Sequence, residues 1–375
     1  MSDSVFQTEH VKALDGLRGY AAVAVTFYHA ILQLQPTLVE SVVSPAISDI
    51  ARADWLAKVM LIVFDGRAAV LLFYTLSGCV LCHSLLKSPL AARALSMFVV
   101  RRALRLFPAL FLCLFVMWTL SIAHSALSVA GFPNVTVIAA LKNAVLFDTG
   151  VHGPSTSIQV EAMATPFVLL FFLLYRSFAM PAALLMLGVA AIVLEKPALA
   201  LNLPNLSGAL LFFVVGMFVA LPECKALFAR STGWQLTMVL IAAVVIRHFL
   251  DIASASAFVA QAILFGALVG FVRWSSANTR MHEFLENRVS QLLGRVSYSY
   301  YLLNVAVLWL LWFSPAFRVL QTWPNPLVGG LVVGTIATGL TVPLAYLSHR
   351  YCELPFIELG KRITRGQSLR RQHAA

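Results

Sequence analysis

Ten apolar runs of roughly 16–24 residues follow one another along this chain, the length that a helix needs to cross a hydrocarbon core of ~30 Å. They cover residues 13–34, 68–87, 104–126, 161–177, 180–195, 204–222, 234–251, 256–274, 296–314 and 326–349. Of the 375 residues, 60% are hydrophobic and only 11% are charged. Soluble globular chains carry about 25% charged residues. The sequence therefore predicts an all-α, polytopic membrane protein with about ten transmembrane helices.

The distribution of lysine and arginine predicts the orientation. With a cytoplasmic N-terminus, about nineteen basic residues fall in or beside inside segments and seven fall outside; with Arg18, inside the first run, they account for all 27. Because inside loops carry the basic excess, both termini are predicted to be cytoplasmic. We expect a cytoplasmic segment at 1–12, a transmembrane domain at 13–360, and a basic, disordered tail at 361–375 that lies on anionic lipid.

Composition and cysteine pattern exclude other classes. The net charge of +11 is explained by topology, and no basic-aromatic module suggests nucleic acid as a partner. Cys79-x-x-Cys82 has the spacing of a redox or zinc motif, but it lies in an apolar run without a second ligand pair. We interpret these cysteines as small buried hydrophobic residues and predict neither a disulfide framework nor a metal site.

Arg18 and His29 lie eleven positions apart in the first run. Eleven steps of ~100° return a helix to within about 20° of its starting direction, so both side chains share one face, ~16 Å apart. Ionisable groups within a membrane are functional by default, and a neutral imidazole is a general base near pH 7. A buried structural histidine is the alternative. Asp15 can pair with Arg18 at i, i+3, and the glycines at 16 and 19 thin the helix for a neighbour or a ligand.

Three further motifs carry candidate chemistry. Arg102 and Arg105 share a face at the cytoplasmic start of the third run, where they suit a phosphate-rich cofactor or serve only as a positive-inside flank. Glu161, at the outer start of the fourth run, is either a helix-dipole partner or a group that orients His29. The segment 297–304 contains three tyrosines and the segment 349–356 contains a histidine, an arginine and a glutamate; ordinary interfacial anchoring is the alternative to a role in the site.

Together these motifs resemble those of the acyltransferase 3 family of membrane acyltransferases, and the resemblance covers nearly the whole chain. Its motifs are Leu14–Gly19 with His29, Leu76-Ser77-Gly78, Arg102-x-x-Arg105 with Pro108, Glu161, Ser297-Tyr298-x-x-Tyr301-Leu302, and Glu353-x-Pro355-Phe356. The chain departs from the family at Asn304, where many members have a histidine, and at Cys79, where phenylalanine is usual. It also lacks the tryptophan often found before Glu161.

The resemblance implies transfer of an acyl group, commonly acetyl, from cytoplasmic acyl-CoA to a hydroxyl of a surface polysaccharide, oligosaccharide or glycolipid, in a bacterial inner membrane. It implies no metal, and it leaves a homo-oligomer open. In this interpretation His29 deprotonates the acceptor or carries the acyl group, and Glu161 assists it. The residues expected to hold the CoA are Arg18, Arg102 and Arg105, supported by Asp15, Ser77, Tyr298 and Tyr301. The alternative is a multi-span transporter of a polar metabolite or acyl group, with Arg18 and His29 lining its path.

Overall fold

The computed structural model describes residues 12–127, 131–200, 202–203, 205–230, 232–250, 254–275, 280–323 and 325–372. This part of the chain contains α-helices, short 3₁₀ and π turns, and no strand, so the all-α prediction is confirmed. The helices are α1 (Lys12–Leu34), α2 (Trp55–Val63), α3 (Gly66–Leu86), α4 (Ala92–Ala126), α5 (Val137–Ala144), α6 (Gly153–Glu195), α7 (Leu206–Val219), α8 (Lys225–Phe228), α9 (Gly233–Phe249), α10 (Ala255–Trp274), α11 (Arg280–Glu286), α12 (Arg288–Trp312), α13 (Pro315–Gln321), α14 (Pro326–Ser348) and α15 (Leu354–Gln372).

Each of the ten apolar runs lies mainly on one of these helices. The fourth and fifth runs both lie on α6, which is broken at Ala179, where the backbone has φ 52° and ψ −140°. Pro181 follows that break and removes a helical hydrogen-bond donor. The break lies between the two predicted runs, whereas their separation into two membrane spans stays a prediction.

The count of ten membrane spans is not confirmed. Within the described residues, five helical segments are long and apolar enough to cross a membrane, and up to seven if two bent helix pairs each form one span. The five are Arg52–Leu86, Ala92–Ala126, Gly153–Glu195, Ala255–Trp274 and Pro326–Ile363. Helix α1 has the length but is not among them, because Asp15, Arg18 and His29 lower its mean hydropathy. The cytoplasmic location of the termini stays a prediction.

The structure describes most of the C-terminal tail but little of the N-terminal segment. Of the predicted cytoplasmic segment 1–12, residues 1–11 lie outside the described residues. Helix α15 runs from Leu354 to Gln372 and so enters the tail predicted at 361–375. The expected disorder of that tail and its contact with anionic lipid stay predictions.

The chain divides into two compact units. The first contains the described residues of Met1–Pro89 and Met163–Arg295, and the second contains those of Leu90–Ala162 and Val296–Ala375. In the second unit, a hydrophobic core joins α4, the start of α6 and α12. Its buried members are Leu106, Ala109, Leu110, Cys113, Leu114, Met117, Leu146, Ile158, Leu302, Leu303 and Ala306.

Glycines set the helix packing of the first unit. A Cβ atom added at Gly78 of α3 would overlap the backbone of Phe213 on α7, and one at Gly216 of α7 would overlap the carbonyl of Thr75. The same holds on α1: a Cβ at Gly19 would lie 2.7 Å from the backbone nitrogen of Gly294. Small residues at such positions let helix backbones approach closely. The two glycines of α1 therefore accommodate neighbouring helices.

Gly216→Ala should lower the free energy of unfolding by about 1–3 kcal/mol, because the added methyl group overlaps the Thr75 carbonyl in a close-packed crossing. Gly188→Ala is the matched control: Gly188 also lies in a helix, and nothing lies within 4 Å of the position that its Cβ would take. Alanine there should be neutral or stabilising by up to ~1 kcal/mol. Thermal unfolding in detergent, followed by circular dichroism, measures both; equal effects would contradict the packing assignment.

Candidate functional site

Helix α1 carries a polar face. The helix is continuous from Lys12 to Leu34, so Arg18 and His29 do share one side of it, as predicted. Gln33 lies one turn beyond His29 on the same side. Lys12, His29 and Gln33 are the exposed residues of this fully described helix, and twelve of its 23 residues are buried. His29 is thus accessible on a helix whose other exposed residues lie near its ends.

The predicted pair at the start of α1 is present. Nη1 of Arg18 lies 3.6 Å from Oδ1 of Asp15, and the two side chains are 16% and 20% exposed. Gly16 and Gly19, which flank Leu17 and Arg18, pack against Leu285 and Gly294. The packing of these glycines holds the turn that carries Asp15 and Arg18 against α11 and α12. The backbone of Arg18 is therefore fixed in position.

Ser77 lies on α3 of the same unit and is partly exposed. Its neighbours explain most of the Leu76-Ser77-Gly78 motif: Leu76 is fully buried, and Gly78 contacts the backbone of Phe213. Leu76 and Gly78 therefore serve helix packing, and Ser77 is the polar side chain of the motif.

In the second unit, two residues predicted for different roles form one ion pair. Nη2 of Arg102 lies 3.1 Å from Oε2 of Glu161 and donates a second hydrogen bond of 3.1 Å to the Glu161 carbonyl oxygen. The Arg102 side chain is 8% exposed and that of Glu161 is 22% exposed. A guanidinium removed from water in this way requires a nearby carboxylate. Glu161 therefore neutralises and orients Arg102.

This contact corrects one expectation. Arg102 and Glu161 were expected at opposite membrane faces, as the first residues of their spans, yet groups 3.1 Å apart lie at one depth. The helices begin earlier than the apolar runs do: α4 at Ala92 and α6 at Gly153. At about 1.5 Å per residue, the two side chains lie some 15 Å and 12 Å inside their helices.

Arg105 behaves differently from Arg102. It lies one turn further along α4 and is exposed, so the predicted phosphate-binding pair divides into a buried, neutralised member and an accessible one. Within the described chain, the Nε of Arg102 has no hydrogen-bond partner. Arg105 is therefore accessible to a ligand from solvent, whereas Arg102 is buried with one unused N–H.

The two predicted supporting tyrosines tie α12 to the helices that carry this ion pair. The Tyr298 hydroxyl donates to the Leu106 carbonyl at 2.6 Å, next to Arg105. The Tyr301 hydroxyl lies 2.8 Å from Oγ of Ser157, one turn before Glu161. Both tyrosines therefore hydrogen-bond to residues next to the charged side chains, and these bonds hold α4 and α6 in place around the ion pair.

The C-terminal motif contributes a buried carboxylate, in a segment for which interfacial anchoring was one of the two interpretations. Glu353 is 4% exposed; it accepts a hydrogen bond from Ser299 and pairs with Nδ1 of His349 at 3.0 Å. Ser299 also contacts the Ser348 hydroxyl at 2.7 Å. Glu353 therefore joins the start of α12 to the end of α14, so its place in the motif is internal.

His152 was missed by sequence reasoning. It is fully buried, its Nε2 donates to the Leu302 carbonyl at 2.9 Å, and its Nδ1 lies 2.7 Å from Oγ of Ser155. Burial lowers the pKa of His152 to about 4, so the ring is neutral at pH 7. It anchors the start of α6 to the residue after Tyr301. A histidine in a polar loop carries no local signal of such a contact. Asn304, at the position where the family's histidine was expected, is also fully buried.

Among the described residues, no three histidine, cysteine or acidic side chains are grouped closely enough to hold a metal ion. Comparison with known families shows that the family model Acyl_transf_3, described as an acyltransferase domain, matches residues 11–350. No curated protein and no solved structure matched the chain.

The Arg102–Glu161 pair predicts strong energetic coupling. Arg102→Met and Glu161→Leu should each lower the free energy of unfolding by about 2 kcal/mol, because each leaves the other charge unpaired in a largely buried place. The double variant should be less destabilised than the sum, with a coupling of about 1–3 kcal/mol. Exposed Arg105→Met is the control, with an expected change below about 0.5 kcal/mol. Denaturant unfolding in micelles measures this double-mutant cycle. Additive effects of the two substitutions would show that the residues do not interact.

Proposed function

The chain belongs to the acyltransferase 3 family, and on that premise we propose that this membrane acyltransferase moves an acyl group, in the simplest case acetyl, from acyl-CoA to a carbohydrate hydroxyl. The proposed donor lies on the cytoplasmic side. The proposed acceptor is a surface polysaccharide, oligosaccharide or glycolipid, and the proposed location is a bacterial inner membrane.

The observation that carries this proposal is the exposure of His29. The ring is accessible between largely buried neighbours on α1, and it shares a face with Arg18. A neutral imidazole can accept the proton of a bound hydroxyl group. Exposing a polar group in the middle of an apolar helix contributes nothing to packing, so a chemical task is the better explanation.

The proposed reaction balances with one base. The His29 imidazole takes the proton of the acceptor hydroxyl while the hydroxyl oxygen attacks the thioester carbonyl carbon. The C–S bond breaks, the new C–O ester bond forms, and the proton passes to the departing thiolate, which leaves as free CoA. In the variant with an acyl-enzyme, the imidazole nitrogen attacks the thioester carbon and the CoA thiolate leaves. The acceptor oxygen then attacks the acyl carbon, the C–N bond breaks, and the hydroxyl proton passes to the freed imidazole or the thiolate.

The arginines support binding of the donor. Arg105 is exposed, and a guanidinium fork matches phosphate oxygens. In the first unit, the partly exposed Arg18 of α1 is a second guanidinium that we propose for phosphate binding. Glu161, first expected to assist His29, is paired with Arg102, so its proposed task is to hold that buried arginine in place.

His29→Ala should lower acyl transfer by about 100-fold or more, the usual contribution of a general base, while the protein still folds. Gln33→Ala, one turn further on the same exposed face, is the matched control and should stay within about twofold of the unchanged protein. The assay measures acyl-CoA-dependent modification of a saccharide acceptor and release of free CoA by the purified protein. Full activity of His29→Ala would remove the proposed base.

Arg105→Ala should raise the KM for acyl-CoA about tenfold with little change in kcat, because a charged hydrogen bond to the donor is lost in the ground state and the transition state alike. Arg93→Ala removes the same charge from an exposed position three turns earlier on α4 and should leave the KM within about twofold. Equal effects of the two substitutions would assign the arginines to membrane topology.

The transporter interpretation makes a different prediction for the same preparation. A pure carrier moves its cargo without breaking the thioester, so it releases no free CoA under any acceptor condition. Release of CoA that depends on the acceptor and is lost in His29→Ala supports the enzyme. Transport by liposomes containing the protein, without any CoA release, would contradict it.

A further inference from the structure

A second basic cluster lies in the first unit, formed by three helices that contact one another. Helices α1, α3 and α10 pack pairwise. Arg18 lies near the start of α1, whereas His83 and Arg273 lie near the ends of α3 and α10. Arg273 and His83 were not among the residues singled out from the sequence. We call Arg18, His83 and Arg273 the basic cluster.

Arg273 and His83 are in direct contact, and Arg18 is linked to Arg273 through the charge that both present to Cys79. Nη2 of Arg273 lies 2.8 Å from Nδ1 of His83; since arginine can only donate, His83 accepts through Nδ1. The guanidinium of Arg273 lies 4.6 Å from the ring centroid of Trp274, which limits its orientation. The buried Cys79 thiol interacts with the charges of both Arg18 and Arg273, so the two cations converge on one uncharged side chain.

Arg273 has one donor for which the described part of the protein provides no acceptor. Within the part of the chain that the structure describes, the buried Nε of Arg273 has no hydrogen-bond partner, and Arg273 forms no ion pair with a carboxylate. The nearby carboxylates have other contacts: Asp15 pairs with Arg18, and Glu223 accepts from the Tyr175 hydroxyl at 2.9 and 3.1 Å. A buried N–H without an acceptor is unfavourable, and Arg273, unlike Arg18, has no carboxylate paired with it in the described chain. An oxyanion bound at Arg273 supplies both the missing acceptor and a negative charge.

Accessibility agrees with a bound ligand. Arg18, His83 and Arg273 are each partly exposed, neither buried in the core nor freely solvated. The alternative role for Arg273 is a favourable interaction with the C-terminal dipole of α10. That role explains the sign of the charge but not its hydrogen bond to a histidine of another helix or its unused Nε–H.

We infer that the basic cluster of Arg18, His83 and Arg273 binds a phosphate group of the nucleotide part of the acyl donor. This inference rests on the proposed function for the identity of the donor, and it adds two binding residues. Arg273 supplies the guanidinium donors, His83 holds that guanidinium in place through Nδ1, and Arg18 completes the positive site. A lipid phosphate has the same chemistry, so the experiment separates the two sources.

The binding experiment uses the full-length protein in discs of zwitterionic lipid, titrated with CoA and, separately, with inorganic pyrophosphate. Arg273→Gln should raise both dissociation constants about tenfold, the effect of losing one charged hydrogen bond. Arg273→Lys, which keeps the charge without the fork, should give a smaller increase of about threefold for both probes. Lys225→Gln, an exposed charge change on α8, is the matched control and should stay within about twofold.

The kinetic experiment compares acyl-CoA with acyl-pantetheine, a donor without the nucleotide phosphates. Arg273→Gln should lower the ratio of kcat/KM for acyl-CoA to that for acyl-pantetheine about tenfold, whereas a general loss of structure would lower both values together and leave the ratio unchanged. An unchanged ratio, or dissociation constants that match those of Lys225→Gln, would overturn the inference. The inference would also be overturned if Arg273→Gln lost only its binding to anionic lipid and still bound CoA and pyrophosphate.

The two proposals fail separately. If the unchanged protein transfers no acyl group but binds pyrophosphate through Arg273, the phosphate site stands and the proposed function falls. If acyl transfer is present and depends on His29, but Arg273→Gln binds CoA and pyrophosphate as the unchanged protein does, the function stands and the assignment of the basic cluster falls.

Discussion

Charge inside an apolar helical protein has to be neutralised, and this constraint organises the second unit. The Arg102 guanidinium is removed from water on α4 and is held by the side chain and the backbone carbonyl of Glu161. Unpaired, either group would be strongly unfavourable in such a place. The ion pair therefore joins α4 to α6, and the hydroxyls of Tyr298 and Tyr301 brace the same two helices from α12.

The same constraint makes the exceptions informative. His29 is exposed and Arg105 is exposed, so neither is explained by internal neutralisation. Arg273 is partly exposed, is hydrogen-bonded to His83, and keeps a buried Nε–H without an acceptor within the described chain. Polar groups that the protein leaves open are the ones that a substrate can satisfy. In the first unit, the base on α1 and the cation on α10 are the groups on which the proposed acyl transfer and phosphate binding depend.

Close helix approach provides the frame for these groups. Gly78 and Gly216 allow the backbones of α3 and α7 to meet, and Gly16 and Gly19 do so for α1. Without a hydrophobic driving force between helices in lipid, such contacts supply the packing that fixes side-chain positions. The glycines of the Leu14–Gly19 motif thus serve helix packing, and the role of Arg18 between them in binding the donor stays a proposal.

The sequence by itself determined the helical class, the place of each apolar helix, the break beside Pro181, the shared face of Arg18 and His29, and membership of the family. These features depend on periodicity and hydropathy, which act between residues close in the chain. Only the tertiary structure decided the polar partners. The hydrogen bonds of Arg102 with Glu161, His152 with Leu302 and Arg273 with His83 join residues 59, 150 and 190 positions apart. No local pattern encodes such a partner, because the hydrogen bond exists only after the helices have packed.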